Sequence, residues 1–171
     1  MFKIAGITGL VISCGLIGVV QNRNLKRRID HLEDFYQMIL LLKSNINYFK
    51  EPLIDIFTKL SKNGHSKAYL LLNDIVVDIS NKNLEIPQIW ANNVSLAYNK
   101  SSLTKKDIEV MSYLGSFIGQ TDYINQLQHF QYLEENLKIQ IEQAKEELKC
   151  KGPMYNKIGY FIGAIIGILL I

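Results

Sequence analysis

The two ends of the chain constrain its fold more than anything between them. Residues 4–20 carry no charge, and neither do the side chains of residues 158–171. As a helix, residues 4–20 rise about 26 Å, close to the roughly 30 Å of a bilayer's hydrocarbon core. The second block is shorter, but a helix that starts at Met154, after Pro153, rises about 27 Å. Tyr155 and Tyr160 suit a membrane interface, and Lys157 can reach outwards along its apolar stem. The pattern predicts membrane-anchoring helices over residues 1–21 and 153–171, with a helical domain over residues 22–152 between them.

Charge is segregated as such anchors require. All sixteen acidic residues lie between positions 30 and 147. Across residues 29–150 they face twelve basic ones, a net of −4. The basic topology anchors Arg23, Lys26, Arg27 and Arg28 follow the first block, and Lys151 and Lys157 flank the second. Positive flanks stay in the cytoplasm. Both ends then project outwards and the bulk of the chain is expected to be cytoplasmic, at the cell membrane. A cleavable signal peptide fits poorly, because the positive cluster follows the apolar run and no small-residue cleavage pattern precedes Gln21.

Val11-Ile12-Ser13-Cys14 resembles a bacterial lipobox, so the alternative is an extracytoplasmic lipoprotein binding module lipidated at Cys14. Against it, the apolar run continues through GLIGVV and the basic cluster lies on the wrong side. Cys14 and Cys150 are too few for a disulfide framework or a zinc site. An acidic middle also argues against nucleic acid, which needs clustered positive charge.

Gly159, Gly163 and Gly167 recur at spacing four, and Ala5, Gly9 and Ser13 do the same in the first block, followed by Gly15 and Gly18. In lipid, helices associate through close backbone approach. These faces predict antiparallel packing of the two membrane helices, with contact to another subunit as the rival use.

Between the anchors the apolar spacing is helical throughout, and an all-α, compact bundle of about six helices is expected. Leu25, Ile29, Leu32, Tyr36, Ile39, Leu42 and Ile46 mark one long helix. Pro52 suits the first turn of a second, over residues 52–62, which Gly64 would end in a left-handed conformation. Residues 66–80 are apolar on several sides, which predicts burial on most sides. Pro87 starts a fourth helix with Trp90, Val94 and Ala97 inward. Thr104 and Asp107 form a capping box for a fifth that ends near Gly119. Leu127, Phe130, Leu133, Leu137, Ile141, Ala144 and Leu148 stripe a sixth, interrupted at Gly152-Pro153. Glu134, Glu135, Lys138, Glu142, Lys145 and Glu146 read as its solvated face.

The sequence offers little chemistry. His31, His65 and His129 lack metal-site spacing, and His31 reads as a surface residue. Asp74 and Asp78 lie four apart with no third group, and read as solvent-facing. No phosphate loop or nucleophile motif is present. No enzyme, cofactor or metal is expected.

The stretch LTKKDIEVMSYLGSFIGQTDYINQ, residues 103–126, carries a resemblance. Leu103 with Asp107, Leu114-Gly115, Gly119, Asp122 and Gln126, then Lys151 with Met154-Tyr155 and Gly159 with Gly163, follow the pattern of the stage III sporulation protein AB family. Ile118 stands where that pattern has Leu. The resemblance implies a part in the secretion-like machinery between mother cell and forespore, at the mother-cell membrane. The family looks like one copy of the cytoplasmic domain that type II secretion and type IV pilus platform proteins carry twice, so a full platform role requires homo-oligomerisation. It also implies a cognate cytoplasmic ATPase, stage III sporulation protein AA, and membrane subunits as partners. From the residues themselves, Gly115 and Gly119 permit close helix crossing and a helix end, Asp122 would cap the next helix, and Gln126 could bond a neighbouring loop.

Overall fold

A computed structural model describes residues 2–49, 52–62, 64–81, 84–119 and 123–169. The side chains of residues 2–12, 14, 49, 123–124, 156, 159–160, 162–164 and 166–169 lie outside that description. The described backbone holds six helices and no strand: α1 (Phe2–Phe49), α2 (Leu53–Lys62), α3 (Lys67–Asn81), α4 (Ile86–Ala97), α5 (Lys105–Phe117) and α6 (Tyr123–Leu169). They fall into two compact units, one of Met1–Ile29 with Glu142–Ile171 and one of Asp30–Ile141.

In the unit of Asp30–Ile141, α2 begins where the carbonyl of Pro52 accepts from the amides of Asp55 and Ile56. Pro52 therefore precedes the helix rather than occupying its first turn. Ile56, Phe57 and Leu60 go inwards from α2. Gly64 is not left-handed, contrary to expectation; the only described glycine at positive φ is Gly119. What restricts position 64 is Tyr69, whose ring carbon Cδ2 would lie 2.5 Å from an added Cβ.

The α3 helix is buried along one side, not on most. Ala68, Leu71, Leu72 and Ile75 go inwards, while Leu70 and Val77 stay about half exposed. Its breadth of apolar residues exceeds what its neighbours cover. Within α4, Pro87 takes the first turn, Trp90 and Val94 are buried and Ala97 is half-buried.

Trp90 ties the unit together. Its ring meets Phe35 of α1 at 6.5 Å and Phe57 of α2 at 6.0 Å between centroids. Its Nε1 donates to the carbonyl of Met111 in α5, 3.0 Å away. One side chain thus anchors apolar contacts from two helices and satisfies its single polar atom on a third. The core also includes Leu32, Met38 and Ile39 of α1, Met111 and Leu114 of α5, and Phe130, Leu133 and Leu137 of α6.

The other unit pairs the ends of the chain. An added Cβ on Gly152 would lie 3.0 Å from Asn22 Oδ1 and 3.2 Å from Leu148 Cδ1, so glycine is what lets the backbone of α6 come this close to α1. The expected interruption at Gly152-Pro153 is absent: α6 continues through Pro153. A proline inside a helix removes one backbone bond and leaves the carbonyl four residues earlier without its partner. Here Lys149 and Pro153 are both exposed, so water can take that carbonyl.

The two expected membrane helices are not separate elements, since residues 4–20 belong to α1 and residues 154–169 to α6. No proline breaks the chain between the first block and Phe49. Among the described residues no helix is long and apolar enough to cross a membrane. Most side chains of both apolar blocks lie outside the description, Cys14 among them.

Candidate functional site

The family-like stretch sits on α5, and its geometry starts at the helix's first turn. The Thr104 hydroxyl accepts from the amide of Asp107 at 3.2 Å, and the Asp107 carboxylate accepts from the amide of Thr104 at 2.8 Å. The reciprocal pair satisfies two otherwise unpaired donors and fixes where α5 begins. Met111, Leu114 and Phe117 then follow at helical spacing and are buried.

Gly115 lies on the same side, against Trp90. An added Cβ would come 2.5 Å from Trp90 Cβ and 2.7 Å from Cγ, distances that real Cβ atoms do not reach. Gly115 is therefore the position that lets α5 cross α4 closely enough for the indole to reach the Met111 carbonyl. Beyond it, Ile118 turns out of the helix and Gly119 takes φ +75°, a conformation that favours glycine.

The opposite edge of α5 faces α6 and is aromatic. Tyr113 packs against Phe117 and Tyr132, with 5.4 Å between centroids in each pair. His129 stacks on Phe117 at 5.1 Å and 18°. The Tyr113 hydroxyl and His129 Nδ1 are hydrogen-bonded at 2.6 Å. Burial, and then the neighbouring Tyr132, push the Tyr113 hydroxyl above its usual range, so it stays protonated. Between these helices opens a groove of about 210 Å³ lined by Glu109, Val110, Tyr113, Tyr132, Leu133 and Asn136. A second, wider depression of about 530 Å³ lies at the α4–α5 corner, with Tyr98, Lys100 and Thr104 among its walls. The amide of Thr104 in its rim is already taken up by the capping box.

A polar cluster around the buried Tyr98 involves α1 and the end of α4. The His31 ring meets Tyr98 edge-on at 5.6 Å, so His31 is a partly buried packing residue rather than a surface one. Burial and the nearby Asp34 carboxylate raise the Tyr98 hydroxyl far above its usual value. That hydroxyl has no hydrogen-bond partner among the described residues. Burial also raises the Asp34 carboxyl, against the lowering effect of His31. Asp74 is exposed, whereas Asp78 accepts from Asn93 Nδ2 at 2.7 Å.

The basic residues divide. Arg23, Lys26, Arg27 and Lys157 are exposed. Arg28 is buried and donates to Glu147 at 2.8 Å, so it is a packed ion pair and not part of the open basic collar. Lys151 reaches the other oxygen of the same carboxylate. The Lys151 hydrogen bond leads in holding the Glu147 carboxyl below its usual range, opposed by burial and helped by Arg28.

Of the other positions singled out in the sequence, Leu114 is fully buried, Gln126 half-buried and Ser13 exposed. Ala5, Gly9, Asp122, Gly159, Gly163 and Gly167 lie outside the described residues or side chains, and so does their packing. Glu134 is not solvated like its neighbours; it accepts from Lys43 at 2.8 Å. Sequence reasoning missed the Tyr113–His129–Tyr132 edge and the Arg28–Glu147 pair. A signal for the first was present: Tyr113 and Phe117 lie four apart, and His129 and Tyr132 three apart, each spacing placing two rings on one helix face. Among the described residues no three His, Cys, Asp or Glu side chains converge to hold a metal ion.

No curated protein sequence and no solved structure matches the chain. The sequence model of one family, described as stage III sporulation protein AB, matches residues 3–171. That span takes in both apolar ends as well as the capping box, the Trp90–Gly115 crossing and the aromatic edge. The chain belongs to the stage III sporulation protein AB family.

Proposed function

We propose that this chain is a non-enzymatic, membrane-anchored component of a secretion-like channel between mother cell and forespore. Its unit of Asp30–Ile141 couples a cognate cytoplasmic ATPase, stage III sporulation protein AA, to membrane subunits of that channel. The observation that carries this reading is the family match over residues 3–171.

Anchoring is supported by what the end-to-end unit leaves bare. Leu16 and Ile17 of α1 are 59% and 63% exposed, and Phe161 and Ile165 of α6 are 68% and 57% exposed. Large apolar side chains bared on two helices, with basic residues beside them, suit lipid contact with the basic side in the cytoplasm. Residues 1–21 and 153–171 are then the membrane helices. The small-residue faces at Ala5, Gly9 and Ser13 and at Gly159, Gly163 and Gly167 pack there, against each other or against another subunit.

Coupling is supported by the way Trp90 knits four helices into one dense core. Close-packed interiors transmit displacement rather than absorb it. A push delivered by the ATPase to this unit would pass on as a rigid movement, and a homo-oligomer would present several such units together. The test is capture of the cognate ATPase by the full chain in mild detergent. Nucleotide-dependent co-purification is the expected result. No capture under gentle conditions, or labelling that places Arg27 or Lys151 outside the cell, would overturn the reading.

A further inference from the structure

We propose that the groove between α5 and α6 is a docking slot for one arginine side chain of a protein partner. The inference deepens the proposed function and rests on it only in needing a protein partner.

Size comes first. At about 210 Å³ the groove is below the roughly 300–1,000 Å³ of small-molecule sites, and fits one long side chain. Its chemistry then selects the side chain. Val110 and Leu133 line it with apolar groups, Tyr113 and Tyr132 with aromatic rings, and Glu109 and Asn136 with oxygen acceptors. No basic residue lines it. An anion would meet the Glu109 carboxylate, and a purely apolar group would leave the Glu109 and Asn136 acceptors unused.

The acceptors are available. Glu109 makes no ion pair or hydrogen bond among the described residues, not even with Lys105 four residues earlier on the same helix. Asn136 donates its Nδ2 to the Tyr132 carbonyl at 2.8 Å, which leaves its Oδ1 free to accept. Of the aromatic rings, Tyr132 is exposed and Tyr113 half-buried. The two cation–ring contacts seen, Lys67 over Tyr98 and Lys138 over Tyr36, use other tyrosines. Tyr113 is already held by His129 and Phe117, so the slot needs little ordering when it fills.

Arginine fits this arrangement better than lysine. A guanidinium is planar, stacks on an aromatic face and donates in its own plane to two separate acceptors. An ammonium is a compact charge that prefers its water.

The test uses the full chain in detergent micelles with ¹³C-labelled tyrosine rings, Tyr113 and Tyr132 being assigned from Y113F and Y132F spectra. N-acetyl-arginine amide, its neutral isostere N-acetyl-citrulline amide, and N-acetyl-lysine amide are titrated separately. The arginine probe is expected to move the Tyr113 and Tyr132 resonances, with citrulline at least about tenfold weaker and lysine intermediate. E109Q is expected to weaken the arginine probe about three- to fivefold while leaving the remaining tyrosine resonances in place. Equal response to arginine and citrulline, no response at either ring, or no change in E109Q would overturn the slot. Tighter binding of lysine would overturn the arginine assignment. The titration contains no ATPase, so its failure and failure of the ATPase capture are separate results.

Discussion

Replacing Gly115 by alanine sets two ordinary effects against each other, and the sign of the outcome separates them. In an exposed helix, glycine to alanine stabilises by roughly 1 kcal/mol, because alanine loses less backbone freedom on folding. At position 115 the new methyl would stand 2.5 Å from Trp90 Cβ and 2.7 Å from its Cγ. The Cβ of Trp90 is fixed to the α4 backbone, so no rotamer change relieves the contact; α4 and α5 must separate. Overpacking of this kind costs roughly 1–3 kcal/mol. Separation also lengthens the 3.0 Å bond from the indole to the Met111 carbonyl, a further loss of about 1 kcal/mol. After the propensity gain the net expectation is a loss of roughly 1–3 kcal/mol. Trp90 is the single tryptophan, so intrinsic fluorescence reports from the site itself during denaturant unfolding of the full chain in mild detergent. A G115A protein as stable as the parent, or about 1 kcal/mol more stable, would refute the crossing argument.

Two further outcomes follow from unbalanced polar groups. Y98F removes a buried hydroxyl that has no partner among the described residues, so its denaturation midpoint should be unchanged or higher, by up to about 1 kcal/mol in stability; a loss above 2 kcal/mol would show that the hydroxyl is bonded. The Glu147 carboxyl is held below its ordinary value of 4.5, so its contribution is complete above about pH 4.5 and is lost as pH falls through the lowered value. Stability measured from pH 6 down to pH 3 should therefore fall less steeply in E147Q than in the parent, and parallel curves would contradict the pairing with Arg28 and Lys151.

Helix periodicity was readable because one face of each helix meets a common core: Leu32 and Ile39, Phe57 and Leu60, Leu133 and Leu137 are all buried at the expected spacing. The Thr104–Asp107 cap was readable because it is local, closed within four residues. What spacing does not contain is the identity of the facing group. Gly64 reads as a helix stop, yet its neighbour in space is the Tyr69 ring. Arg28 reads as one more member of a basic run until Glu147, far along the chain, takes its charge. The breadth of α3 says that several faces are apolar and nothing about how many neighbours exist to cover them. Pro153 reads as a break because a lone helix would rather stop there than lose a bond. The groove beside Tyr113 is likewise a property of two helices, and neither sequence segment alone contains it.

The unbroken passage of α6 through Gly152 and Pro153 has a mechanical side. Interior turns of a helix are ordinarily braced by a full set of backbone bonds, but here one strut is missing, at the carbonyl of Lys149. A turn that has lost a strut yields more readily than an intact one, so bending in this stretch of α6 would gather next to Lys151.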